Sequence, residues 1–272
     1  MVKCDGLKIH WLRPAGVQKI RINLPPCTKD LGEFMKKLSE DKSKIKVNSS
    51  KKVVKKAVRK NKQYDIPIYG QSEEFTSSAA CVMMIMKYLD RDYKFTKDDE
   101  YEIWNETVYG SVLNGSRYGI AYALAKRGIQ PIIMSTNVKD LGYERKIAVY
   151  EGINLNAMQS AFDEVKEKMK AYDIKEIKRS VTVNTIKKYM SENMIPIVLV
   201  NSSVLNMATY TDSFPQWVVV KGYDEDTFYV NDSYSDSVLA MEPETFVKAL
   251  GYENEYYMIL VKASRAKPKK NK

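Results

Sequence analysis

Histidine is almost absent: His10 is the only one in 272 residues. Cysteine is scarce too, with Cys4, Cys27 and Cys81 widely spaced and no CxxC pair among them. A structural zinc site needs four such ligands at close spacing, so this set excludes one. The chain is also long enough to bury a core without disulfides or metal, and no cofactor is expected. No stretch approaches 18 consecutive apolar residues, and no apolar run follows a basic start. That leaves no candidate membrane span or export signal, and a cytoplasmic, reduced protein is the expectation. Phosphate-binding glycine loops are missing as well: GSRYG has no Gly-Lys-Ser/Thr and no preceding strand, so nucleotide binding is not supported. The acidic runs at 98–100 and 224–226 lack the spacing of a calcium loop and read as a helix start and a turn.

Positive charge, by contrast, is abundant and unevenly placed. The formal net charge is +10, and the stretch from Lys42 to Lys62 alone holds ten Lys/Arg and no acidic residue. A second cluster, Arg265, Lys267, Lys269, Lys270 and Lys272, ends the sequence. Such runs offer an acidic partner or nucleic acid a non-specific electrostatic contact. No aromatic residue is interleaved as a stacking platform, and a solvated helix face followed by a disordered tail is the simpler reading.

Patterning divides the chain into three parts. Residues 1–62 read as a small N-terminal extension: LKIHWL and VQKIRINL have strand composition, KDLGEFMKKL has helical spacing, and the basic segment follows. Residues 63–263 carry the dense signals. An extended IPIYGQ leads through a Ser/Thr start into AACVMMIMKYL, apolar on every side and expected to be a buried helix. Helices are expected at 97–108, 117–127, 155–171 and over TVNTIKKYMSEN, with PIIMS as a strand. Then come IPIVLVNS, QWVVVKGY, TFYVND, VLAM and YYMILVKA as strands, with a short helix between Pro243 and Gly251. Residues 264–272 read as a basic tail. Helices first and an antiparallel sheet afterwards indicate an α+β fold.

Two stretches carry more than a fold class. GQSEEFTSSAACVMMIMKYLD resembles the Gln, Thr-Cys-Gly-Pro-Ala-Ala and long apolar helix of papain-like cysteine peptidase domains related to those that remove double-glycine leaders from bacteriocins. QWVVVKGYDEDTFYVNDSY is similar to that family's His-Trp, valine strand, Gly-Tyr/Phe-Asp and second strand ending in Asp-Pro. The resemblance spans roughly residues 64–262. It implies a papain-like fold, an N-terminal helical half packed on a C-terminal sheet, and a peptide or protein as substrate or partner.

The resemblance also implies roles. Gln71, six residues before Ser77, matches the amide that donates to the developing oxyanion, and Asp232 matches the orienter of the base. The nucleophile position holds Ser77 and the base position Gln216. A serine hydroxyl needs a base to take its proton, and a carboxamide does not titrate. His10, the only imidazole, lies outside the matching stretch. Conventional cysteine-peptidase activity is therefore not expected, and a catalytically degenerate domain that binds a peptide or amide-bearing partner is. One alternative keeps an active hydrolase or acyltransferase in which Ser77 is the nucleophile or replaces a cysteine; another makes the 42–62 segment an adaptor. Ser78 and Trp217, neighbours of the two changed positions, are the candidate substrate contacts. Cys81, one helical turn after Ser77, reads as a small buried hydrophobe.

Overall fold

The computed structural model describes residues 61–110, 112–137, 141–205 and 213–264. The chain clusters into two units, Met1–Lys55 and Lys56–Lys272, and only the second contains described residues. The expected strands and helix before residue 42, most of the basic segment, the tail from Arg265, and His10, Cys4 and Cys27 all lie outside them.

Apolar residues on every side of a helix require burial on every side, and the first helix obeys. In α1, Ser77–Leu89, every residue from Ser77 to Ile85 is buried. Each fully covered Val, Met or Ile of that run contributes about 1.5–3 kcal/mol relative to exposure. Helices α2 (Lys97–Thr107) and α3 (Arg117–Lys126) begin where Thr96 and Ser116 accept from the amides of Asp99 and Gly119. The acidic run at 98–100 is the first turn of α2, as the dipole favours. Gly119 lets α3 approach α2 closely: a Cβ there would stand 2.2 Å from the Thr107 carbonyl oxygen.

Among the described residues eight strands form one sheet: β1 (Lys62–Gln63), β2 (Pro131–Ser135), β3 (Lys175–Lys178), β4 (Met194–Asn201), β5 (Pro215–Tyr223), β6 (Phe228–Asp232), β7 (Ser237–Met241) and β8 (Tyr257–Lys262). The order is β3-β2-β8-β4-β5-β6-β7, with β1 paired to β5. Strands β4 and β8 are central and almost wholly buried, which is why their sequences read as continuous apolar runs. The turn at 224–226 closes the β5–β6 hairpin through Asp224 N–H to Thr227 O at 2.9 Å.

The sheet departs from the antiparallel expectation at one place. Strand β3 pairs parallel to β2, and a parallel neighbour requires a crossover. Helices α4 (Tyr143–Tyr150) and α5 (Leu155–Lys170) supply it. Then follow α6 (Val183–Ser191), the short α7 (Ser202–Leu205) and α8 (Pro243–Ala249). Helix α6 opens on Thr182, whose hydroxyl accepts from Thr185 N–H, and Asn193, with φ 63°, turns the chain just past its C-cap Glu192. The result is an α+β fold in which the N-terminal helical region packs against a mostly antiparallel sheet. Among the described residues no helix is long and apolar enough to cross a membrane.

Candidate functional site

Helix α1 begins without the usual side-chain cap. Thr76 precedes it with φ −92° and ψ 15°, and its hydroxyl makes no capping bond to the first turn. Instead Thr76 Oγ1 donates to Glu100 Oε1 at 2.5 Å. The first-turn N–H groups therefore lack the side-chain acceptor that most helices supply, and the positive end of the dipole is left open at Ser77.

Strand β5 meets this point from the other side. Ser77 Oγ accepts from the backbone N–H of Trp217 at 3.3 Å, which sets Gln216 beside the start of α1. Gln216 is 1 % exposed, as is Ser77. Its Nε2 donates to Asp232 Oδ1 at 2.5 Å, while its Oε1 is buried with no hydrogen-bond partner. Asp232, on β6, also accepts from Tyr234 N–H at 3.2 Å and from Ser235 Oγ at 2.6 Å. The fold thus brings Ser77, Gln216 and Asp232 together across α1, β5 and β6.

Gln71 lies in the same neighbourhood with its amide turned elsewhere. Its Nε2 donates to the carbonyls of Glu73 at 2.7 Å and Glu74 at 3.0 Å, and its Oε1 accepts from Ser233 Oγ at 2.7 Å. Both amide protons are committed to its own loop.

Ser78 and Trp217 are wholly buried and present no side-chain surface. Ser78 Oγ shares a 2.8 Å hydrogen bond with Thr107 Oγ1, and the Trp217 indole N–H donates to Gly115 O at 3.2 Å. That carbonyl also accepts from Tyr143 OH at 2.9 Å. Gly115 has φ +80°, and a Cβ there would stand 2.3 Å from Ser78 Oγ, so glycine is required twice over. Cys81 is fully buried, and burial, then the nearby Asp232, pushes its thiol well above the ordinary value. It stays a neutral thiol.

The residue that the sequence did not disclose is Glu100. Wholly buried on α2, it accepts from Tyr69 OH at 2.8 Å, Ser72 N–H at 2.8 Å and Thr76 Oγ1. Those three donors span the loop from Tyr69 to the residue before α1, so one carboxyl shapes the segment that carries both Gln71 and Ser77. Its only sequence signal was membership of an acidic first turn. Replacement by Ala strands three donors, two of them buried or partly buried side-chain hydroxyls, and is expected to lower stability by about 3 kcal/mol, read as a shifted urea midpoint at unchanged slope.

Tyr69 reports on the same clamp. Burial, then its bond to Glu100, raises its phenol from 10.0 to about 12. Above pH 10 the unfolded chain releases this proton first, so the stability tied to it is complete below pH 10 and lost as pH rises through about 12. An alkaline absorbance titration of the native chain minus that of Tyr69→Phe should show this late phenolate step; a difference midpoint near 10 would contradict the clamp.

The described residues hold no group of three or more His, Cys, Asp or Glu placed to hold a metal ion. A cavity of about 580 Å³, lined by residues that include Met86, Leu89, Ile129, Met194 and Lys262, does not include Ser77, Gln216 or Asp232.

The α+β architecture, an N-terminal helical region packed against the sheet, matches that of a papain-like domain. Residues 66–248 match the model of the Peptidase_C39 like family. That is more than half of the chain, which therefore belongs to this family. Among curated proteins none matches. Of solved structures, a crystal structure of a candidate C39-like peptidase from Bacillus anthracis is similar at 13 % identity with a TM-score of 0.38, covering 75 % of this chain and 98 % of that one. At that score the likeness adds nothing on activity.

Proposed function

We propose that the chain is a catalytically degenerate papain-like domain that binds a peptide or another amide-bearing partner at the start of α1 and does not cut it. The observation that carries this reading is the bond between Gln216 and Asp232. A carboxamide whose NH2 is held by an acid has no nitrogen to receive a proton, so among the described residues no imidazole stands at the base position beside Ser77. Gln71 weighs on the same side, because an amide donating to Glu73 and Glu74 carbonyls is not aimed at an oxyanion. Three features support binding there: a helix start with no side-chain cap, the Ser77 hydroxyl and an amide oxygen without a partner.

A pool of random decapeptides passed over the immobilised full-length chain tests the proposal. Retained peptides should be recovered intact by mass spectrometry, and Ser77→Ala, which removes the hydroxyl from this buried position without adding volume, should weaken retention with the folded spectrum kept. Recovery of cleaved peptides, or retention that Ser77→Ala leaves unchanged, would overturn it.

A further inference from the structure

The cavity of about 580 Å³ stands at the far end of α1 from Ser77, where Met86, Leu89 and Asp90 line it. Helix α1 has 13 residues, so its two ends lie about 18 Å apart at 1.5 Å rise per residue. The volume suits a small organic molecule. Ile129, Ile132, Met194 and Val261 join Met86 and Leu89 in an apolar wall, and Lys175 and Lys262 also line it.

Strand register fixes which way those lysines stand. Lys175 opens β3 opposite Ile132, Ile132 pairs with Leu260, and Lys262, two residues after Leu260, pairs with Met194. Paired residues share a sheet face, as do residues two apart on one strand. Lys175, Ile132, Lys262 and Met194 therefore project from the same face. Strand spacing and rise put the two lysine Cα atoms about 12 Å apart, a span that two lysine side chains bridge. Both lysines are exposed, and among the described residues neither has a hydrogen bond or an ion pair.

Arg127, Gln130 and Asp90, also in the lining, are already engaged. Arg127 pairs with Glu106 and donates to Ala123 O at 2.9 Å. Gln130 Nε2 donates to the carbonyls of Tyr172 and Asp173, each at 3.1 Å, and Asp90 Oδ1 accepts from Asp92 N–H at 3.2 Å. With Glu106 offsetting Arg127, and Asp90 offsetting one lysine, one positive charge is left over. The sequence after Ser264, another lining residue, adds five Lys/Arg and no acid, so the chain's own tail offers no counter-charge.

We infer that this cavity binds a single-chain amphipathic carboxylate, a fatty acid of medium length, with its hydrocarbon against Met86, Leu89 and Met194 and its carboxylate between Lys175 and Lys262. One carboxylate matches the one unbalanced charge. An unbranched hydrocarbon asks nothing of the engaged polar groups, whereas a peptide would need partners for its amides. Lysine, a point charge on a flexible stem, suits a headgroup held at an exposed rim. The site is separate from Ser77 and stands or falls independently of peptide binding there.

The test follows methyl resonances of the full-length chain carrying 13C-methyl methionine. Octanoate, octanol, octylammonium and tri-leucine would be titrated below micelle-forming concentrations. Met86 and Met194 report from the cavity wall, and Met241, on β7 at the opposite edge of the sheet from β3, is the control. Met86→Leu and Met194→Leu serve only for assignment.

The expected result is a saturable shift of Met86 and Met194, with Met241 still, at an octanoate concentration about tenfold below that of octanol. Lys175→Gln with Lys262→Gln should bring the two probes to equal concentrations, and both positions are exposed, so the fold is kept. Equal binding of octanoate and octanol by the native chain, a comparison that needs no variant, would overturn the carboxylate contact, as would octanoate binding that the double substitution leaves unchanged. Preference for octylammonium would overturn it by making Asp90 the recognising group, and tighter binding of tri-leucine would overturn the acyl chain as occupant. No shift at Met86 and Met194, or an equal shift at Met241, would overturn the site itself.

Discussion

A chain carrying Ser77→Cys together with Gln216→His is expected to become reactive to iodoacetamide at position 77 near neutral pH, about a hundredfold or more above the chain carrying Ser77→Cys alone. The argument begins with Asp232. It already accepts from the side chain at position 216, so an imidazole placed there finds its orienting acid in position. The open start of α1 stabilises a thiolate, and an adjacent imidazolium stabilises it further. With Gln216 retained, only the helix contributes. Cys81 stays silent because burial keeps its thiol neutral, and peptide mapping separates position 77 from Cys4 and Cys27. Equal labelling of the single and double variants would mean that position 216 does not face position 77. Restored reactivity need not restore turnover, since the Gln71 amide protons are committed to its loop.

The second large effect concerns the support of the site. Glu144→Ala is expected to destabilise the fold by about 3–5 kcal/mol. Arg117 on α3 and Glu144 on α4 are both fully buried, with Nη1 and Oε1 3.3 Å apart. Glu144 Oε2 also accepts from Gly142 N–H at 2.8 Å, and the guanidinium carbon lies 4.2 Å from the Tyr257 ring centroid and 4.7 Å from that of Tyr118. Burial opposes the guanidinium charge, but Glu144 and the surrounding phenols outweigh it and hold the pKa above its usual value.

Removing one partner leaves an uncompensated buried charge, which is why the single substitution is costly. Arg117→Met with Glu144→Leu removes both charges and should cost distinctly less than Glu144→Ala. Urea unfolding of the three chains gives the comparison. A double variant worse than the single by the full cost of each would refute the coupling. The consequence reaches the site because Arg117 stands two residues after Gly115, whose carbonyl holds the Trp217 indole.

Much of this was legible before any coordinates. Helix α1 declared itself by an apolar run too long for a strand and apolar on every side, and β4, β5 and β8 by β-branched runs bounded by turns. The meeting of Ser77, Gln216 and Asp232 followed from matching two motifs more than a hundred residues apart. Strand β3 was not legible: KEIK is a charged edge strand, exposed over most of its length, with none of the apolar alternation that marks a half-buried one. Helix α4 hid for a similar reason, since it buries only Tyr143, Glu144 and Ala148 and leaves Val149 and Tyr150 exposed.

Glu100 and Gly115 were missed because their work is non-local. Nothing in KDDE says that its last carboxyl turns inward to clamp a loop 24 to 31 residues upstream, and nothing in NGS says that a glycine carbonyl gathers Tyr143 and Trp217. The direction of the Gln71 amide was likewise out of reach. Which carbonyls an amide chooses depends on a turn whose shape Glu100 sets.

The central claim is that Gln216, standing at the base position, cannot take the Ser77 proton. Its most direct test is hydrolysis of a fluorogenic peptide pool by the full-length chain and by Ser77→Ala, each against buffer alone. The account predicts that the two chains release fluorophore at the same background rate. Release by the native chain that Ser77→Ala abolishes would contradict it.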